Sequence, residues 1–142
     1  MVDMSDVSRY PEKLGHLLRI SRLVEGVVGE LDCRVEIWDG GLGGCQGVYL
    51  PSSRLIKLWS GSSYLALVLV HELAHSLMKV GHSSWNKWVD DPYLGDGEEL
   101  FARAVVQHVA TVTGDRTLNL QLDTVREFHW TPEEFSRMEV LL

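Results

Sequence analysis

Apolar residues recur along the chain with two different periods, which separate predicted helices from predicted strands. From Pro11 to Leu31 they recur three or four residues apart, and Pro11 suits the first turn, so this segment predicts an amphipathic helix. Arg34–Trp38 alternates between polar and apolar positions, which is typical of a strand. Two further strands are predicted at Gly47–Pro51 and Arg54–Trp59, and a Pro-Ser-Ser turn joins them.

The second half of the chain predicts helices. Tyr64–Val80 is a strongly apolar helical run that ends at Gly81, a natural C-cap residue. Gly97–Ala110 also has helical spacing, and a polar loop at 114–117 is expected to follow it. Thr131–Glu134 is a capping box that predicts the start of a last helix. Helix, short strands and then helices together indicate an α+β fold.

Residues 71 to 75 read His-Glu-Leu-Ala-His, inside the most apolar predicted helix. His71 and His75 are four residues apart, so on a helix they share one face, where two imidazoles can bind one zinc ion at about 2.0–2.1 Å. Glu72 is rotated by about 100°, so its carboxylate can lie beside the metal and accept a proton from the attacking water. The alternative is a core helix whose two histidines bond to neighbouring groups, which requires several partners for them.

A third protein ligand can come from either of two segments. In the predicted helix 97–110, Glu99 shares a stripe with apolar positions, and Ala102 is small enough to let this helix approach the motif helix closely. Glu98 points about 100° away and suits the role of an acid near a helix N-terminus. The other candidate is His82, which can reach the metal if the chain turns back sharply after the motif helix.

The histidine motif, followed by Glu99-Leu-Phe-Ala, resembles the gluzincin branch of the zincin metallopeptidases. The second segment is also similar to the third-ligand helix of the anthrax lethal factor catalytic domain, and to small zincin domains of phage and mobile-element proteins. The resemblance implies a compact zincin-like core in which His71, His75 and Glu99 hold Zn²⁺ and Glu72 is the catalytic base.

Two further positions bear on that resemblance. The lethal-factor type carries a tyrosine just upstream of the glutamate ligand, where it helps to stabilise the tetrahedral intermediate. Tyr93 is similar in placement but one residue closer, so the resemblance implies a catalytic role for it. Arg103 stands where the lethal-factor type has a second acid, so the surroundings of the ligands do not carry over.

A second resemblance involves the alternative ligand. Gly81-His82, followed by Trp85 and Trp88, is similar to the third-histidine segment of SprT-like DNA-repair metallopeptidases. Those proteins usually act on DNA-bound substrates, which requires a basic face. This chain has 13 Lys+Arg against 20 Asp+Glu and a net charge of −7, so no nucleic acid partner is expected and Glu99 is favoured over His82.

These observations predict a zinc endopeptidase that acts on a protein or peptide substrate. In the zincin fold an edge strand pairs with the extended substrate, and Gly47–Leu50 is the segment we nominate for it. The alternative is a non-catalytic zincin-fold module that binds a protein partner through some of the five tryptophans, Trp38, Trp59, Trp85, Trp88 and Trp130.

Length and composition set the remaining expectations. A chain of 142 residues is expected to form one domain, over residues 1–142. No apolar stretch is long enough to span a bilayer, and the first residues lack a basic start and an apolar core. We therefore expect a cytoplasmic protein with no membrane partner. The oligomeric state is not predicted.

Overall fold

The computed structural model describes residues 1–79 and 85–142, which form an α+β fold. The strands within these ranges are β1 (Arg34–Trp38), β2 (Gly47–Leu50) and β3 (Leu55–Trp59). The α-helices there are α1 (Pro11–Val28), α2 (Leu65–Lys79), α3 (Gly97–Thr113), α4 (Arg116–Thr124) and α5 (Pro132–Glu139), and single 3₁₀ turns lie at Asp6–Arg9, Trp85–Lys87 and Arg126–Phe128. The predicted helix end at Gly81 and the candidate ligand His82 lie outside the described residues.

The first helix is shorter than the sequence predicts. It ends at Val28 instead of Leu31, because Gly29 adopts a positive φ of 95° and its N–H closes the last turn on the carbonyl of Glu25. Leu31 is nevertheless buried, where the chain approaches β1. Burial in the core, and not membership of α1, therefore explains why residue Leu31 is apolar.

The predicted polar loop at 114–117 is wrong. Gly114 adopts the left-handed conformation that ends α3, and the side chain of Asp115 then accepts a hydrogen bond from the Leu118 N–H, which starts α4 at once. Leu118 and Leu122, one turn apart, are both buried. The polar residues in this stretch are therefore a helix end followed directly by a helix cap.

The sheet has the order β1-β3-β2, with β1 parallel and β2 antiparallel to β3. Gly47–Leu50 therefore lies at a sheet edge. A Cβ atom on Gly47 would come within 2.6 Å of the Val68 side chain on α2, so glycine is needed for this close approach of β2 to the helix.

Helix α2 lies at the centre of the fold, since it contacts α1, α3, α4 and two strands of the sheet. Nearly all its apolar side chains are buried, as the composition of this run predicts. On α3 the predicted apolar stripe is also buried, at Ala102, Val106 and Val109.

The capping box that starts α5 is present, because Thr131 and Glu134 exchange two hydrogen bonds. Among the described residues, no helix has the length and apolar composition that crossing a bilayer requires.

We predict that Asp115→Asn destabilises the protein at neutral pH by roughly 0.5–1 kcal/mol. Asp115 forms an ion pair with Arg19 that links α4 to α1. The hydrogen bond with Arg19 and that from the Leu118 N–H hold the pKa of Asp115 below its usual value, against the opposing effect of burial. A lowered folded-state pKa stabilises the protein above the unfolded pKa of about 3.9, and this contribution is lost as the pH falls through the folded-state pKa.

Urea unfolding at pH 7 and at about pH 2.5 tests this prediction. The difference between wild type and Asp115→Asn should be present at pH 7 and should be smaller at the acidic pH. Asp32→Asn, which removes an exposed carboxylate with a surface partner, is the matched control and should change stability little. An equal deficit at both pH values would contradict the account.

Candidate metal centre

Three side chains from α2 and α3 converge on one point. Nε2 of His71 lies 3.0 Å from Oε2 of Glu99, and Nε2 of His75 lies 3.0 Å from Oε1 of the same carboxylate. The two imidazole Nε2 atoms are 3.2 Å apart. Each residue offers one possible ligand atom, and these atoms all lie within 4.8 Å of one another. The structure thus brings together the two motif histidines and the predicted third ligand.

The donor set fits a metal ion such as zinc. Two ligand atoms bound to one zinc ion at about 2.0–2.1 Å, with a tetrahedral angle between them, are roughly 3.3 Å apart. The separations of 3.0 and 3.2 Å found here are close to that value. Two imidazoles and one carboxylate also leave a fourth tetrahedral position without a ligand from this set, as a catalytic zinc site requires.

The start of α3 fixes where Glu99 lies. Asp96 caps the helix by accepting a hydrogen bond from the Glu99 N–H at 2.9 Å, and Asp90 accepts one from the Gly97 N–H at 2.8 Å. A Cβ atom on Gly97 would come within 3.2 Å of the Trp88 carbonyl oxygen, so glycine suits this crowded position. Glu98, on the next position of the helix, is exposed and has no part in the three-residue cluster.

The electrostatics of the cluster keep Glu99 ionised. Its contacts with His71 and His75 lower its pKa well below the usual range, against the effect of partial burial. Burial lowers the pKa of His71, and the charges of His75 and Arg103 add to this, while the contact with Glu99 opposes it. Burial also acts to lower the pKa of His75, but the contact with Glu99 and the charge of Glu72 outweigh it, so this pKa is raised.

Glu72 is buried beside the cluster, with 8% of its surface exposed. Burial raises the pKa of Glu72 to about 7, with a smaller contribution from Glu99, while the charge of His75 opposes the shift. A carboxyl group with a pKa near neutrality can both accept and donate a proton at physiological pH. This property suits a general base that later acts as a general acid.

Two cavities flank the cluster, and both are lined by Gly47, Glu72 and Glu99. The first, of about 520 Å³, is also lined by His75, the β2 residues Val48 and Tyr49, and Pro51, Met78, Trp85 and Glu98. The second, of about 450 Å³, is also lined by His71, residues 44–46, and Tyr64, Leu67, Val68, Val125, Glu127 and Phe128. The N-terminal end of β2 therefore lies between two openings to the same group of side chains.

Phe128 is a neighbour of the site that the sequence analysis did not identify. Its ring packs edge-to-face on the His71 ring, with 4.8 Å between the centroids. The backbone nearby is held by the buried Gln107, whose side-chain amide donates to the Trp130 carbonyl and accepts from the Trp130 N–H. Phe128 lies in a short 3₁₀ turn without any periodic pattern, so no sequence signal marks it.

One predicted residue lies apart from this cluster, and another lies in the segment that the structure does not describe. Tyr93 lies in the turn closed by Asp91 and Gly95, with 93% of its surface exposed, and it lines neither of the two cavities. His82 lies outside the described residues, so its role as an alternative third ligand stays a prediction.

Comparisons with protein-family models, with curated proteins and with solved structures find no match to this chain. The functional argument therefore depends on the geometry and chemistry of the site itself.

Metal content tests the centre directly. We predict that elemental analysis finds one zinc ion per chain in the wild type and its loss in Glu99→Ala, because that change removes one of three ligands. Glu98→Ala is the matched control, since it removes the neighbouring carboxylate on the same helix and should keep the metal. If His82→Ala loses zinc and Glu99→Ala retains it, the third ligand is His82 and not Glu99.

Proposed function

We propose that this protein is a zinc-dependent metalloendopeptidase with a zincin-like core, in which His71, His75 and Glu99 hold the metal. The observation that carries the proposal is the convergence of these three side chains beside the buried Glu72. A site that only binds metal has no use for a buried carboxyl group with a pKa near 7, whereas hydrolysis requires one.

The protein residues have separate roles in the proposed reaction. A zinc ion in the site would act as a Lewis acid that activates water and polarises the scissile carbonyl. Glu72 accepts the proton of the attacking water and then passes it to the leaving nitrogen, which completes the cleavage of the peptide bond. The proposed steps do not use Tyr93, whose side chain is exposed and lines neither cavity, and its catalytic role stays a prediction.

The sheet edge supports a peptide as the substrate. Strand β2 is hydrogen-bonded to β3 on one side, and its residues line the cavities at the cluster. An extended peptide can pair with such an edge through backbone hydrogen bonds, which do not depend on its side chains. Such pairing would bring successive peptide groups of the substrate past Glu72 and the metal ligands.

The alternative proposal, a non-catalytic module that binds a protein partner, has weaker support. Trp88 and Trp130 are buried in the core, so they are not available for a binding surface. Burial of Glu72 also disfavours its ionised form, so stability falls as the pH rises from 4.5 to about 7, a cost that a purely structural zinc site would not require.

Substitution of the proposed base tests the mechanism. We predict that Glu72→Gln keeps one zinc ion per chain and loses peptide hydrolysis by about 10²–10⁴-fold, because the amide cannot accept the proton. Mass spectrometry of a broad peptide library after incubation with the zinc-loaded protein measures the cleavage.

Glu133→Gln, an exposed change of the same kind on α5, is the matched control and should cleave like wild type. Cleavage by Glu72→Gln at the wild-type rate would contradict the mechanism. A wild type that holds zinc and cleaves no peptide of the library would favour the non-catalytic module.

A further inference from the structure

The second nitrogen of His71 lacks a partner. Nδ1 of His71 is buried and has no hydrogen-bond partner among the described residues. A histidine that binds metal through one ring nitrogen almost always donates a hydrogen bond from the other to a carboxylate, a carbonyl or water. That bond orients the ring and increases the basicity of the nitrogen that binds the metal. His71 therefore lacks, within the described protein, the support that usually strengthens a metal ligand.

A cation with no ion-pair partner among the described residues lies close to the same part of the site. Arg103 is half-buried on α3, one turn after Glu99, and its buried Nε atom has no hydrogen-bond partner in residues 1–79 and 85–142. No carboxylate of the described residues forms an ion pair with it. Its guanidinium group lies 6.0 Å from the centre of the Phe128 ring, and that ring packs on His71. A positive charge with no carboxylate partner among the described residues thus lies beside the ring that packs on a metal ligand.

We propose that Arg103 weakens metal binding through His71, so that this site holds its metal reversibly and exchanges it with the surrounding pool. The inference rests on the metal site of the proposed function and adds to it a residue that sets the affinity. Two effects act in the same direction. The guanidinium repels an incoming cation, and the Nδ1–H of His71 has no acceptor to make Nε2 a stronger donor.

The position of Arg103 offers a substitution that reverses both effects. The substitution Arg103→Glu replaces the positive charge by a negative one. It also places a possible acceptor for the Nδ1–H of His71 one turn along the helix from Glu99. Loss of a partner of this kind typically changes metal affinity by about 10–100-fold, so Arg103→Glu should bind zinc tighter than wild type by at least about tenfold. A residue that only fills space would not give tighter binding when replaced.

Competition with a chromophoric zinc chelator measures the affinity, and transfer of zinc to excess chelator measures the rate of release. Wild type is compared with Arg103→Glu, with Arg103→Met and with Arg116→Glu, an exposed change on α4 that alters the net charge by the same amount. We expect Arg103→Glu to bind more tightly and release zinc more slowly. Arg103→Met, which removes the charge and adds no acceptor, should show a smaller gain, and Arg116→Glu should behave like wild type.

The results distinguish a failure of the inference about Arg103 from a failure of the proposed metal site. If wild type binds zinc and Arg103→Glu binds no tighter than Arg116→Glu, Arg103 does not set the affinity, although the metal site stands. If Arg103→Glu fails to fold by circular dichroism, Arg103→Met decides, and a wild-type affinity in that variant overturns the inference. If neither wild type nor Arg103→Glu binds zinc, the metal site of the proposed function fails as well.

Discussion

The close packing of α3 against α2 is the interaction on which the candidate site depends. The two histidines occupy one face of α2, and the third donor has to arrive from another element. Ala102 is fully buried one turn after Glu99, and its small side chain permits the two helices to approach closely. The Glu99 carboxylate then reaches both imidazoles at 3.0 Å. A larger residue at 102 would separate the helices and with them the ligands.

The same packing places polar groups in an apolar core. Helix α2 is buried nearly throughout, yet His71 and Glu72 lie within it with little exposed surface. The altered pKa values of His71 and Glu72 express the free-energy cost of burial. The contact with Glu99 opposes this effect for His71 without overcoming it and outweighs it for His75, whereas the charge of Glu99 adds to it for Glu72. Stability is therefore lower than an apolar helix would provide, and the uncompensated carboxyl group is the one that the proposed mechanism uses.

Much of this arrangement follows from local sequence rules. The i, i+4 spacing places His71 and His75 on one face, and the apolar stripe of α3 singles out Glu99 instead of Glu98, which the structure shows to be exposed. Local signals also locate all three strands, because their alternation and turns are encoded by neighbouring residues. Helix α4 was missed because its cap, Asp115, follows directly on the Gly114 end of α3 and resembles a loop.

Other features depend on contacts between distant segments and have no local signal. Strands β2 and β3 both contact α2, and no local sequence signal gives their order in the sheet. Phe128 packs on His71, and the two hydrogen bonds between Gln107 and Trp130 hold the nearby backbone. The charge of Arg103, which has no ion-pair partner in the described part of the chain, is likewise visible only once the fold brings it near the site. Tyr93 is similar in placement to a family tyrosine but one residue closer to the glutamate, and its side chain is exposed outside the two cavities.

A crystal structure of the zinc-loaded protein, with anomalous diffraction recorded at the zinc absorption edge, tests the central claim most directly. The account predicts one strong anomalous peak, about 2.0–2.2 Å from Nε2 of His71, Nε2 of His75 and a carboxylate oxygen of Glu99, with no fourth protein ligand. A peak bound elsewhere, or a fourth side chain that closes the coordination sphere, would contradict a hydrolytic metal centre at this site.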